Sequence, residues 1–533
     1  MPYAPHAVAA TFAGLALALV TGAEARAAAC NELAGTAFGP AHVTAAGMVT
    51  PPFGIAGRDP PRPTTVTAPF CRVEGTITPS ADSDIRFELW LPTGAAWNGK
   101  YEGVGNGGFA GSLIYPSMNA ALAEGYAVSG TDTGHTGSPI DSRWALGHPE
   151  KIKDFGWRGI HETAVAAKAI LAEYYGHDAA HAYFAGCSDG GREALMEAQR
   201  FPTDYDGIVA GAPANNWVRL VATAVWDEQA LMATPASAIP AAKLPAITAA
   251  VLAACHGSDG YLEDPRQCRF DPSVLRCQGT ESESCLTDPQ IATLRRIYAG
   301  PQSQAGTPIF PGFEPGGEAG PTGWGLWITG PGPKPGEGSL QLAFARGFFG
   351  DFVFGVRDWN IRSMNFDADL ATSDRQVGAA VDAMDTDLSK FRAAGGRLIQ
   401  YHGWNDAAIP PLSSINYYQS VAQTMGGVTA LRSFYRLFMA PGMSHCGMGA
   451  GPNAVGGVFG LPAPSHDATH DVVAALAHWV EDGVPPEMLV ATRYRDNDPA
   501  KGVEAQHPWC AYPATVTRAA GTGGGFTCTA ATP

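Results

Sequence analysis

One stretch restricts the fold of this chain more than any other: Ala185-Gly186-Cys187-Ser188-Asp189-Gly190-Gly191-Arg192. An apolar and aromatic run, Ala182-Tyr183-Phe184, leads into it, and a helical pattern, Glu193-Ala194-Leu195-Met196-Glu197-Ala198, leaves it. Strand, then Gly-x-Ser-x-Gly, then helix is the context of a nucleophile elbow. Such a turn is sharp and strained, and a Cβ at the flanking positions would clash, which is what glycine avoids. The geometry lifts a serine hydroxyl out at the carboxyl end of a strand, above the first turn of a helix. Gly-x-Ser-x-Gly alone is also common glycine-rich loop composition; the strand and helix around it favour a nucleophile at Ser188.

With 533 residues the chain is long enough for two or three domains, or for one large core with an insertion. Hydrophobic residues make up 45% and charged residues 16%, which supports a substantial core and argues against extensive disorder. The formal net charge of −16 speaks against a nucleic-acid partner, which would need basic patches. Sixty-five glycines and 42 prolines point to many turns and long ordered loops.

Residues 1–29 read as a secretory signal: Ala13 to Val20 is an apolar core, and Ala25-Arg26-Ala27 is a small-x-small cleavage site. No Lys or Arg precedes the core, only His6, so a buried N-terminal helix is the competing reading. No later stretch reads as the roughly eighteen apolar residues of a membrane span. The expectation is a secreted or periplasmic protein.

Ten cysteines in an exported chain suggest a disulfide framework. No Cys-x-x-Cys pair or zinc-type Cys/His spacing is present. Sequence alone leaves about 945 complete pairings open. One stands out: Cys187 directly precedes Ser188, and Cys446 directly follows His445. A disulfide holds its Cα atoms roughly 4.4–6.8 Å apart. A Cys187–Cys446 bond would therefore make a serine and a histidine near neighbours whatever else the chain does.

Residues 30–100 are rich in Pro and Gly, with alternating runs at Thr64–Thr67 and Ile85–Leu91 that suggest an antiparallel edge. Lys100–Gly111 reads as a strand and a glycine loop, and Gly103, Gly105 and Gly108 formally match Gly-x-Gly-x-x-Gly. The dinucleotide reading is rejected, because no amphipathic helix is expected to follow and an exported protein has little access to NAD. Such a loop can instead supply half of an oxyanion hole: Gly107 or Gly108, with the amide of Asp189 as the other half.

Ala127–Asp132 reads as a strand, Ile160–Tyr175 as a helix closed by Gly176, and Gly207–Gly211 as a buried strand. This alternation predicts a parallel sheet covered by helices. Residues 30–213 and 385–533 are thus two parts of one core, and residues 214–384, dense in Gly, Pro and Trp, an inserted lid. The lid's aromatics (Trp324, Trp327, Phe344, Phe348, Phe349, Phe352, Phe354 and Trp359) read mainly as a small aromatic core. One or two could stack on an aromatic substrate; Trp324 and Phe348 are the candidates. Arg346 could pair with a substrate carboxylate, although a surface or structural arginine is the blander reading.

The sheet resumes at Arg397–Tyr401, followed by His402-Gly403-Trp404-Asn405-Asp406, and again at Phe434–Met439, followed by Pro441-Gly442-Met443-Ser444-His445-Cys446-Gly447. An Asp just past a buried strand is placed to hold a histidine's tautomer, although Asp in a turn is ordinary chemistry. Ser188…Asp406…His445 is the α/β-hydrolase chain order. His402 is the rival base; it lacks the cysteine neighbour. Val472–Glu481 reads as a final amphipathic helix.

The blocks Gly186–Arg192, Tyr401–Asp406 and Pro441–Cys446 resemble the tannase and feruloyl esterase family, which includes mono-hydroxyethyl-terephthalate hydrolase-like enzymes. The likeness covers nearly the whole mature chain, including Asp264-Pro265-Arg266-Gln267-Cys268 and Gly347-Phe348-Phe349. The resemblance implies an α/β fold, an α/β-hydrolase core with a large inserted lid domain, and a Ser188–His445–Asp406 triad. It also implies disulfides Cys187–Cys446, Cys30–Cys71, Cys255–Cys268, Cys277–Cys285 and Cys510–Cys528. Family members usually carry a calcium loop in the lid, built from oxygen ligands. Here that loop, Cys255–Asp264, is about four residues shorter than the family pattern, and His256 stands where an Asp is typical. Asp259, Tyr261 and Asp264 are the remaining candidate ligands for a structural calcium; catalysis itself needs no cofactor.

The parts together predict a serine carboxylic-ester hydrolase acting on small esters of aromatic acids, feruloyl (hydroxycinnamoyl) above all, free or attached to plant polysaccharide. Galloyl esters and the terephthalate monoester are the alternative substrates. A serine peptidase on the same fold, and a non-catalytic polyphenol- or polysaccharide-binding protein, are the rival readings.

Overall fold

The computed structural model describes residues 1–4, 28–56, 63–257, 259–332, 334, 336–518 and 526–529. The signal-peptide expectation falls mostly on residues 5–27, outside the described residues.

Ten strands form the central sheet. In chain order they are β1 (Ala37–Phe38), β2 (Ala41–Val49), β3 (Phe70–Ile77), β4 (Ile85–Pro92), β5 (Lys100–Val104), β6 (Ala127–Thr131), β7 (His181–Cys187), β8 (Gly207–Gly211), β9 (Arg397–Gly403) and β10 (Tyr435–Ala440). Their order across the sheet is β1-β2-β3-β4-β6-β5-β7-β8-β9-β10. The first four meet their neighbours antiparallel, β4 against β6 included, and every pairing from β6 to β10 is parallel. The parallel half is an α/β-hydrolase arrangement, with the antiparallel strands as its edge. The Thr64–Thr67 run is not part of that edge: Pro63–Val66 pairs with Phe53–Ala56 in a separate hairpin.

The parallel strands read as unbroken apolar runs because both faces are covered. Successive residues point to opposite faces. Phe184, Ile208, Leu398 and Leu437 pack with the helices Gly159–Tyr175, Asp189–Arg200 and Leu412–Thr424. Their sequence neighbours Tyr183, Val209, Ile399 and Phe438 pack with Tyr115–Ala123 and Val472–Asp482. The helix at Tyr115–Ala123 follows the glycine loop after a short gap and was not anticipated; its period is weak.

Residues 214–384 lie between β8 and β9 and contribute no strand to the sheet among the described residues. They contribute to two apolar cores, one around Trp217, Val221, Phe348, Phe349 and Phe352 that is shared with Phe109, Phe155 and Ile409 from outside the insertion, the other around Ile247, Leu294, Phe313 and Trp324. One stretch here, Pro235–Ala254, is 20 residues long with a hydropathy of 1.5, which corrects the expectation that no later segment reaches membrane-span length and apolarity. It comprises two 3-10 turns and an α-helix of 11 residues, Leu244–Ala254. At 1.5 Å per residue that helix spans roughly 16 Å, about half a bilayer core. Lys243, just before it, is buried and bonded to Glu281 and Gln290.

All ten cysteines are paired, in the five combinations that the resemblance implied.

Candidate active site

Register brings the site together. Gly211 of β8 lies opposite Cys187 of β7 and Tyr401 of β9, so the carboxyl ends of these strands are level. Ser188 follows the first of these ends, Asp406 the end of β9, and His445 the end of β10. Open parallel sheets place their ligand crevices at this edge.

Ser188 adopts φ 67° and ψ −122°, left-handed backbone that a non-glycine residue holds only under strain. The elbow closes because Gly186 and Gly190 lack side chains: a Cβ on Gly186 would stand 2.2 Å from the Gly190 carbonyl. Asp189 is the first residue of the helix that follows, where the geometry leaves an amide without an intrahelical partner.

Three side chains form a hydrogen-bonded relay. The Ser188 hydroxyl lies 2.8 Å from Nε2 of His445, and Nδ1 of His445 lies 2.8 Å from Oδ2 of Asp406. Oδ1 of Asp406 accepts the amides of Ala408 and Ile409 at 2.8 and 2.9 Å. Burial alone would raise the Asp406 carboxyl, but the His445 charge and the bonds from both histidines outweigh it, and the group lies below the usual carboxylate range. Carboxylate oxygens only accept, so His445 donates from Nδ1 and its Nε2 is left to accept from the serine.

His402, the rival base, is buried on the other side of the same carboxylate. Its Nε2 is 3.1 Å from Oδ2 of Asp406 and 3.1 Å from the Ile409 carbonyl, and its Nδ1 is 2.7 Å from Oγ of Ser414. It is not in contact with Ser188; it is a second donor to Asp406. Its position four residues before Asp406 was visible in the sequence, its orientation was not.

The disulfide Cys187–Cys446 joins the neighbours of Ser188 and His445, with Cα atoms 5.9 Å apart. Cys187 is fully buried.

The glycine loop is strapped to the elbow. The Asn106 amide donates to Oε2 of Glu193 at 2.9 Å, and the Asn106 carbonyl accepts from the Gly190 amide at 2.9 Å. Gly108, at φ +60°, lines the cavity with Ser188, and a Cβ there would stand 2.2 Å from the Pro139 carbonyl. Gly107 faces the ring of Phe459 instead. Arg192 is fully buried beneath: it donates to Asp189 at 2.6 Å and to the carbonyls of Gly156 and Phe155, and its guanidinium lies over the Phe155 and Trp217 rings.

A cavity of about 520 Å³, including its mouth, opens beside Ser188. Its walls include Trp217, Val221, Ala224, Trp327, Phe344 and Ile409. The Trp327 ring meets the His445 ring edge to face at 5.1 Å. Trp324 and Phe348, the expected substrate contacts, do not line it, which corrects that expectation. Trp324 packs against Phe313 and Tyr298 in one apolar core, and Phe348 against Phe349 and Phe352 in the other. Arg346 is exposed and is not among the lining residues. Trp217 escaped the reading of the sequence, although Trp217, Val221 and Ala224 share a helix stripe at spacings of four and three.

The three candidate calcium ligands do not form an oxygen cage as arranged. Both carboxylate oxygens of Asp264 are held by Arg266, at 2.8 and 2.7 Å, while its Oδ1 also caps the turn that follows. The neighbouring Glu263 pairs with His507 at 2.9 Å, and Tyr261 is buried. Asp259 is exposed, and calcium takes six to eight oxygens, backbone carbonyls such as that of Tyr261 among them.

Comparisons with known proteins agree with this geometry. The family model described as tannase and feruloyl esterase matches residues 71–524. An uncharacterized esterase of Xanthomonas campestris pv. campestris is 42% identical over 93% of this chain and 89% of its own. A probable feruloyl esterase B-1 of Aspergillus oryzae is 31% identical over 85% of this chain and 81% of its own. The crystal structure of feruloyl esterase B from Aspergillus oryzae superposes with a TM-score of 0.82 at 29% identity, covering 94% of this chain and 99% of that one. A strained serine at a level sheet edge, a histidine bolted to it by a disulfide, and a family match over most of the sequence lead to one conclusion: this chain belongs to the tannase and feruloyl esterase family, as an esterase of the α/β-hydrolase fold.

Proposed function

We propose that the protein is a serine carboxylic-ester hydrolase that cleaves esters of aromatic acids, of the feruloyl type, through an acyl-serine intermediate. The observation that carries this reading is the Ser188–His445–Asp406 relay opening into an apolar, aromatic-walled cavity.

His445 takes the Ser188 proton on Nε2 as Oγ bonds to the ester carbonyl carbon. The developing oxyanion takes hydrogen bonds from the Asp189 amide and from the glycine loop, Gly108 and Gly107 being the candidates. The bond to the alcohol oxygen breaks, and the alcohol leaves with the proton from His445. Water then attacks the acyl carbon, giving a proton to His445, which returns it to Ser188 as the acid departs. Asp406 stays ionised and holds the imidazolium.

The substrate is a small aromatic ester, free or carried on a plant polysaccharide, met in the periplasm or outside the cell. Five disulfides and no free thiol support an oxidising compartment. Ser188→Ala should lower kcat on methyl ferulate by about 10⁴-fold or more with the fold intact. Full activity in that variant, or no hydrolysis by the parent of methyl ferulate, methyl gallate or the terephthalate monoester, would sink the proposal.

A further inference from the structure

Away from the catalytic relay, three side chains that the mechanism does not use converge beside the helices Gly159–Tyr175 and Asp189–Arg200. His161 stands on the first helix, Glu197 near the end of the second, and Asp204 in the turn that leads to β8. One ligand atom from each, a ring nitrogen and two carboxylate oxygens, lies within 4.8 Å of the others. Nδ1 of His161 is 2.6 Å from Oδ2 of Asp204, and its ring stacks on Phe201 at 3.6 Å, which fixes the plane of the imidazole.

Grouped acids alone mean little; Glu197 is what makes this group a site. It is fully buried, and neither of its carboxylate oxygens has a hydrogen-bond partner among the described residues. Buried polar groups without partners are rare in folded proteins and call for an explanation. The carboxyl lies beside that of Asp204, and burial, with that neighbouring charge, holds it well above the carboxylate range. A proton shared by the two carboxyls would satisfy one oxygen of Glu197 and leave the other bare. Lys168 is close, but its ammonium is spent on the main-chain carbonyl of Asp204. Zinc takes imidazole nitrogen and carboxylate oxygen at about 2.0–2.2 Å, so its ligand atoms stand roughly 3.3 Å apart, and small side-chain shifts gather these three. Calcium and magnesium prefer oxygen alone. The side chains of His161 and Asp204 are 24% and 13% exposed, which gives an ion a way in and a water the fourth position.

We propose that His161, Glu197 and Asp204 bind a zinc ion that braces the helix Gly159–Tyr175 against the helix carrying the elbow. The ion displaces the carboxyl proton as it binds. It lies toward the end of the elbow helix that is remote from Ser188, so its role is stability and not the ester chemistry.

The test adds zinc chloride to metal-stripped, full-length protein and follows calorimetry and thermal unfolding. The expected result is one zinc ion per chain and a raised Tm, because an ion that binds only the folded state stabilises it. His161→Ala and Glu197→Gln should each weaken binding by at least about 100-fold, more than the loss of a residue that merely supports a ligand, and cancel the rise in Tm. Magnesium chloride should leave Tm where it is. No zinc binding by the parent would overturn the proposal. So would an unchanged Kd in His161→Ala, which would mean that other surface groups hold the ion, or a rise in Tm with magnesium equal to that with zinc. His161 is partly exposed, so its variant keeps the test decisive even if Glu197→Gln does not fold. Neither readout involves ester hydrolysis, so the outcome is separate from that of the Ser188 reading.

Discussion

His402 reaches Oδ2 of Asp406 at 3.1 Å, the same oxygen that holds His445 at 2.8 Å. The Ile409 carbonyl shares that His402 nitrogen, so Nε2 carries the proton and Nδ1 accepts from Ser414. Gln400 in turn donates to Ser414 at 2.6 Å, which leaves the serine hydroxyl free to donate. Two imidazoles thus orient one carboxylate, and only one of them touches the serine.

His402→Phe removes the second donor. Asp406 is held low in part by that bond, so the stability it contributes is present above the unfolded carboxyl pKa and is lost as pH falls. The variant should lose stability at higher pH on the acid side, and kcat should fall about tenfold or more with KM little changed. A parental kcat and an unmoved acid edge would refute the positioning role.

The Cys187–Cys446 bond closes a loop with a sequence separation of 259, so its removal should cost up to about 5 kcal/mol in the chain-entropy account. Replacing both cysteines by serine should also loosen the His445 loop and cut kcat about 10- to 100-fold, because small misplacements of a base are costly. Thermal unfolding and steady-state kinetics measure the two effects separately. Parental kcat in the double variant would show that packing alone aligns the pair.

Trp324 and Trp327 stand three residues apart and should answer differently to alanine. Trp324 is 1% exposed in an apolar core, and its loss should destabilise by about 3–5 kcal/mol. Trp327 borders the cavity and the His445 ring, and its loss should raise KM for aromatic esters about tenfold. If Trp324→Ala moved KM and Trp327→Ala did not, the assignment of the cavity walls would be reversed.

Glu102 is buried on β5, and burial pushes its carboxyl up to about 8. The folded protein keeps that proton where the unfolded chain, titrating near 4.5, has lost it, so stability falls as pH rises from about 4.5 to 8. Glu102→Gln should flatten this slope and gain on the order of 3 kcal/mol at pH 8. Denaturant melts at pH 5 and pH 8 test it; an equal pH slope in both proteins counts against it.

Arg266 occupies Asp264, so calcium added to metal-stripped protein should leave Tm unchanged and elemental analysis should find no stoichiometric calcium. A calcium-induced rise of several degrees would mean that the loop rearranges around a cation.

The sequence by itself determined the features that depend on neighbours along the chain. The elbow was legible because a strained serine between glycines needs a strand before it and a helix after it. The parallel core was legible because strands buried on both faces must be apolar without a break, as in Ile208-Val209-Ala210 and Leu398-Ile399. The adjacency of cysteine to both Ser188 and His445 even placed those two residues together across the fold. Tertiary structure decided what depends on which way side chains turn inside the insertion. Trp324 and Trp327, or Phe344 and Phe348, share composition and period, yet one of each pair fills a core while the other borders the cavity. Hydrophobic burial is non-directional, so an aromatic side chain satisfies it equally in either place. The same holds for His402: its spacing from Asp406 is local, but its bond to that carboxylate exists only because Ser414 and Ile409 fold back onto the ring.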